Sequence, residues 1–112
     1  GNSSTNGISV VVNDGGSGFK PAWVMIKNIT SAGNWFIYDN QRNTYNVVNE
    51  YFIADGTAAA ATSGPVQLDF TANGFKLRST NDGTNDSSDH YMYLAMAERP
   101  FGGDGVDQAR AR

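Results

Sequence analysis

The side chains able to do chemistry are few, and most have a ready role in holding a fold. His90 is the only histidine, and Ser88 and Asp89 stand directly before it. A Ser-His-Asp relay needs its three groups to meet in space. Adjacent residues on a strand edge point to opposite faces, so this spacing builds no triad. His90 is expected as a polar residue opening a strand, exposed to a partner. Residues 81–89, Asn-Asp-Gly-Thr-Asn-Asp-Ser-Ser-Asp, are rich in oxygen donors of the kind that calcium gathers in sets of six to eight. The EF-hand pattern fails, because Gly83 is misplaced and no Glu closes the loop. This segment is expected as a solvated loop, with Asp82 and Asp86 facing a partner and no metal bound.

Asp39 and Arg42 form an Asp-x-x-Arg unit just after a Trp-containing run. The expectation is a carboxylate–guanidinium pair pinning a loop, with a ligand clamp as the alternative. Glu98 is placed to pair with a basic residue on a neighbouring strand. Nothing in the spacing supports a catalytic carboxylate pair of Glu98 with Asp39 or Asp69. No nucleophile–base pair stands out, so no catalytic residue and no cofactor is assigned, and the chain is expected to be non-enzymatic.

Aromatic side chains on a β-sandwich fill the core or an interface more often than they stack on sugars. Strand alternation is expected to expose part of the set, Tyr38, Tyr45 and Tyr51. With Arg42, Asp82, Asp86 and His90, the first two make up the candidate ligand or partner surface. Sequons occur at Asn2, Asn28 and Asn85, as chance allows in so Asn-rich a chain.

The elements that must position these residues are short strands. Ile8, Val10 and Val12 alternate in a first strand. Residues 18–28 are apolar on both faces, the mark of a central strand, with Pro21 at its start where a missing N–H costs least. Residues 91–98 are a second strand with few polar interruptions. Trp35, Ile37 and Asp39 share one face, Phe36 and Tyr38 the other. A weaker strand at 47–54 is expected to carry Val48, Phe52 and Ala54 on one side. Residues 58–61 have the composition of a helical turn. Val66, Leu68 and Phe70, then Phe75 and Leu77, form a hairpin about Asn73-Gly74, whose positive φ would make the turn. This pattern predicts an all-β fold, an antiparallel β-sandwich of jelly-roll-like form with about six to eight short strands. Residues 1–18 make an N-terminal segment with the first strand, 19–101 the sandwich body and 102–112 a tail, in a single domain. Residues 1–7 read as a loosely tied start, and Phe101 as a lid on the core.

Composition narrows the function classes. Charged residues are 17% of 112, and the formal net charge is −3 with the basic residues scattered, which argues against a nucleic-acid footprint. No apolar run approaches a membrane span. The absence of cysteine rules out disulfides and thiolate metal sites. A polar, Asn- and Gly-rich β chain suits a secreted or particle surface.

Four blocks carry a resemblance. They are Gly-Phe-Lys-Pro-Ala-Trp-Val-Met-Ile-Lys at 18–27, Gly-Asn-Trp-Phe-Ile-Tyr-Asp at 33–39 with Arg42, Asp-Phe-Thr-Ala-Asn-Gly-Phe-Lys-Leu-Arg at 69–78, and Tyr-Met-Tyr-Leu-Ala-Met-Ala-Glu at 91–98 with Pro100-Phe101. Together they resemble a domain near the C-termini of virion and tail-associated proteins of marine and other tailed bacteriophages. The resemblance implies a virion structural protein, found in the extracellular particle. Its partners would be other virion proteins and itself, as a homotrimer, with a host-surface glycan or receptor beyond. It implies a tail fibre, tail tip or other appendage first, and a capsid decoration protein or a carbohydrate-binding module as alternatives. It carries over no catalytic residue. Its members often end in Ala-Arg, so Arg112 is expected as a natural C-terminus of a longer protein's last domain. Polar ends such as 1–7 and 102–112 would suit an arm that orders on binding a capsid.

Overall fold

Residues 18–28 owe their central place to apolar side chains on both faces, and the rest of the fold is arranged around them. The structure, a computed structural model, describes residues 1–12 and 18–99. Its elements are β1 (Ser9–Val11), β2 (Pro21–Asn28), β3 (Trp35–Asp39), β4 (Glu50–Ile53), β5 (Ala61–Thr62), β6 (Leu68–Thr71), β7 (Gly74–Leu77), the one-turn helix α1 (Asp82–Asn85) and β8 (Tyr91–Ala97). Five strands form one antiparallel sheet in the order β5-β4-β3-β2-β8, and three form a second in the order β1-β7-β6. The protein is an antiparallel β-sandwich, as the alternating pattern predicts, with eight strands among the described residues.

Register fixes which side chains enter the core. Val24 and Ile26 of β2 lie opposite Tyr38 and Phe36 of β3, and opposite Ala95 and Tyr93 of β8. Val24, Ile26, Tyr38 and Phe36 are buried, and Phe75, Leu77 and Leu68 from the smaller sheet meet them. Val48 lies outside a strand and ties the sheets together through reciprocal backbone bonds with Leu68, 2.8 and 3.1 Å long.

Several local expectations are corrected. The 47–54 strand is confined to β4, and its phase is inverted: Tyr51 is buried and Phe52 is exposed. Asn43 Oδ1 accepts the amides of Asn49 and Glu50, where β4 begins. Residues 58–61 form no helical turn; Ala61 opens β5 against Tyr51. The β6–β7 hairpin is present, with Thr71 opposite Gly74 and Phe70 opposite Phe75. Its turn does not use positive φ at Asn73 or Gly74; among the described residues that region holds Ser3, Ser63 and Gly18. Gly74 is required for a different reason, since a Cβ there would collide with the Val10 carbonyl on β1. The Phe101 lid and the 102–112 tail lie outside the described residues.

The first residues are not loosely tied. Asn85 is fully buried, and its Nδ2 donates towards Asn2 Oδ1, Ser4 O and Ser79 O at 3.0, 3.0 and 2.8 Å. Its Oδ1 accepts the Asn2 amide at 2.9 Å, its carbonyl accepts the Ser3 amide, and Ser87 N donates to Ser3 Oγ. The 1–7 segment is therefore stitched to α1 and the residues after it.

Candidate functional site

The two ends of β2 separate the candidate residues. Pro21 and Trp23 lie beside Ala97, Met96 and Asp39; Lys27 and Asn28 lie beside Met92, Tyr91 and Trp35. Arg42 and Tyr45 follow β3 at the first end. Asp82, Asp86 and His90 precede β8 at the second. A seven-residue strand spans roughly 24 Å, so these residues do not form one site.

At the first end, the Asp39–Arg42 pair is the structural pair expected. Arg42 Nη2 lies 2.5 Å and Nε 2.7 Å from Asp39 Oδ2. The amides of Gln41 and Arg42 donate to Asp39 Oδ1. Partial burial works against ionisation of Asp39, but these amides and the guanidinium outweigh it and hold the carboxyl below its ordinary 3.8. The stability this contributes is complete above that ordinary value and is lost as pH falls through the lower folded value. Acid titration of the fold, followed by circular dichroism, is expected to show an unfolding limb below about pH 4 that flattens in Asp39→Asn. Arg42 also lies 3.5 Å over the Phe52 ring, which puts its cation at the corner of the outer sheet face. Tyr45 is 84% exposed beside a small cleft shared with Lys20, Asn43 and Glu98. Lys20 pairs with Glu98 at 2.7 Å, the basic partner anticipated for that carboxylate.

Tyr38 does not belong to any surface. It is 1% exposed, packs 5.9 Å from the Tyr51 ring, and directs its hydroxyl at the Val66 carbonyl. Tyr51 is buried too. Both tyrosines fall on the face of β3 and β4 that meets the smaller sheet.

At the second end, the oxygen-rich segment is organised rather than solvated throughout. Asn81 caps α1 through Gly83 N, and Thr84 and Asn85 are buried. Asp89 Oδ2 accepts Asn28 Nδ2 at 2.5 Å, and its Oδ1 accepts Ser31 Oγ. Asn28 Oδ1 accepts the amides of Thr30 and Ser31, which folds the β2–β3 connection. Ser88 Oγ bonds Asp86 Oδ1 at 2.6 Å; this bond and the Ser88 amide hold the Asp86 carboxyl below its ordinary value. The Tyr91 hydroxyl donates to Asp82 O and accepts from Asp86 N. Ser88 and Asp89 are thus committed to other partners, and His90 uses its backbone to bind Thr30 Oγ1 and the Ile29 amide. Among the described residues, no three His, Cys, Asp or Glu side chains converge as metal ligands. A cleft of about 520 Å³ opens here, floored by Phe36 and Tyr51 and rimmed by Asn81, Asp82 and Ser88.

Asn28 and Asn85 are the residues whose importance sequence reasoning missed. Both sit in sequons, and both are buried hydrogen-bond hubs with no room for a glycan. The small polar residues around Asn85 hide that role, and only the apolar neighbours of Asn28 hint at burial.

The least expected surface is the outer face of the five-stranded sheet. Residues opposite one another share a face, so three rows can be read across it. Met92, Lys27 and Trp35 form the first, Leu94, Met25, Ile37 and Phe52 the second, and Met96, Trp23 and Asp39 the third. None of these residues is buried, and Phe52, Met92, Leu94 and Met96 are exposed. All three methionines and both tryptophans of the chain lie here. The layer that would cover this face is not among the described residues. A second apolar opening, of about 460 Å³, lies where β1 and β8 fail to close the sandwich, with Phe75 and Tyr93 edge-on at 5.3 Å across it.

The molecule is therefore a β-sandwich whose polar groups knit loops together and whose apolar groups crowd one outer face. The chain belongs to the family described as a domain of unknown function (DUF7483), which matches residues 1–100. No curated protein and no solved structure matches it.

Proposed function

We propose that this chain is a non-enzymatic structural domain of a bacteriophage virion, seated in a tail fibre, tail tip or other appendage, where it works by contact. The observation that carries the contact reading is an inversion of the usual distribution. The carboxylates Asp39 and Asp89, which could do chemistry, are engaged in holding loops, while tryptophan and methionine face outward. Aromatic residues and Met are enriched at interface cores. The four blocks that resemble phage virion domains support the virion assignment; they build β2, β3, the β6–β7 hairpin and β8. Tyr45, largely exposed beside its cleft, is the side chain best placed to meet a host glycan. The N-terminal arm that would favour capsid decoration is already tied down by Asn85.

High-resolution electron microscopy of particles containing the chain tests this. Density for the sandwich at a tail appendage is expected. Density on the capsid lattice would transfer the domain to the decoration class, and its absence from purified particles would remove the virion assignment altogether.

A further inference from the structure

We infer that the outer face of the five-stranded sheet is covered by the same face of a second copy of this chain. The inference rests on the contact reading above and adds the identity of the partner. A strand apolar on both sides, such as β2, belongs in a sheet covered on both sides. One side of β2 has its cover in the three-stranded sheet; among the described residues the other has none. The three rows hold eight apolar residues, and at about 4.8 by 6.8 Å for each position they give an apolar area on the order of 260 Å². That is the dry core of an interface of standard size, about 800 Å² per partner, with the polar rim supplying the remainder.

Charge favours a like partner. The face has Lys27 in its first row and Asp39, already neutralised by Arg42, in its third. A two-fold axis lying between the copies and across the strands sets the first row of one against the third row of the other. Lys27 then lies over the partner copy's Trp23, as it already lies 5.9 Å from its own Trp35 ring. The middle rows, Leu94, Met25, Ile37 and Phe52, meet themselves. Arg42, over Phe52 in the middle row, stays paired with Asp39, and the unbranched methionines adapt to the packing.

Sedimentation of the purified chain, with tryptophan emission recorded over a dilution series, tests the inference. Both tryptophans lie on the face, so their emission reports its hydration directly. A dimer mass at micromolar concentration is expected, with emission shifting red as dilution releases monomer. Leu94→Asp is expected to weaken association about 100-fold, and Met96→Lys, on the exposed edge strand, to do so without unfolding. Tyr45→Asp should leave the mass unchanged. A chain that is monomeric at several hundred micromolar, or an oligomer whose mass ignores both face variants, overturns the inference. Neither result bears on whether the domain is found in particles, which microscopy decides separately.

Discussion

Asn85→Ala is expected to lower stability by about 3–5 kcal/mol, because each buried polar group left unpaired costs about 1–3 kcal/mol. Its side chain accepts the Asn2 amide and donates to three oxygens on two other segments, so truncation strands groups on each. In thermal denaturation the midpoint should fall by roughly 15 °C. Hydrogen exchange should accelerate at Asn2, Ser3 and Gly7 before it does in β2, since residues 1–7 lose their anchor while the sheet keeps its own bonds. Asn85→Asp separates hydrogen bonding from shape. It keeps the outline but turns both donors into acceptors facing the Ser4 and Ser79 carbonyls. It should be at least as damaging as alanine. A variant that melts like the parent would mean that the N-terminal segment is held by something other than this side chain.

Tyr38→Ala is the second large effect, at about 3–5 kcal/mol, the cost of emptying a large aromatic site in a packed core. Tyr45→Ala, by contrast, should fall within about 0.5 kcal/mol of the parent, as open surface positions do. Chemical denaturation of the two variants side by side tests the assignment of Tyr38 to the core. Were Tyr38 a sugar-stacking residue instead, its removal would abolish ligand binding and leave stability intact. Burial, with the neighbouring Tyr51 adding to it, also lifts the Tyr38 hydroxyl well above its ordinary 10.0. The folded state therefore keeps a proton that the unfolded chain releases. Stability is full below pH 10 and falls as pH rises beyond it. Tyr38→Phe should flatten that alkaline decline at little cost near neutrality, because the hydroxyl's contact with Val66 O is long, at 3.4 Å.

Much of the sandwich was legible because alternation is a direct record of which face is dry. Trp35 to Asp39 could be phased correctly, the β6–β7 hairpin placed and β2 recognised as central. Tyrosine is where this reasoning failed. With an apolar ring and a polar tip, it suits either side of a sheet, and Tyr38 and Tyr51 were resolved only by their register against Phe36 and the smaller sheet. Residues 81–89 failed for another reason. Their composition is that of a solvated loop, and only the tertiary partners Asn2, Ser4 and Ser79 turn Asn85 into a core residue. The outer face was present in the pattern from the start, as apolar residues on both sides of β2. What periodicity does not record is whether the second layer comes from the same chain.

The placement of the segment 1–7 and of β8 has a mechanical consequence. Residues 1–4 are fastened at the α1 end of the sandwich, and β8 runs from that end to finish beside Lys20 at the other, where Glu98 N bonds Lys20 O. Tension applied between these two points runs parallel to the strands. The β2–β8 ladder, from Pro21 opposite Ala97 to Asn28 opposite Tyr91, would then be loaded in shear, with its bonds resisting together instead of parting one at a time. Drawn out lengthwise, this domain should give way at far higher force than if it were peeled from β8 sideways.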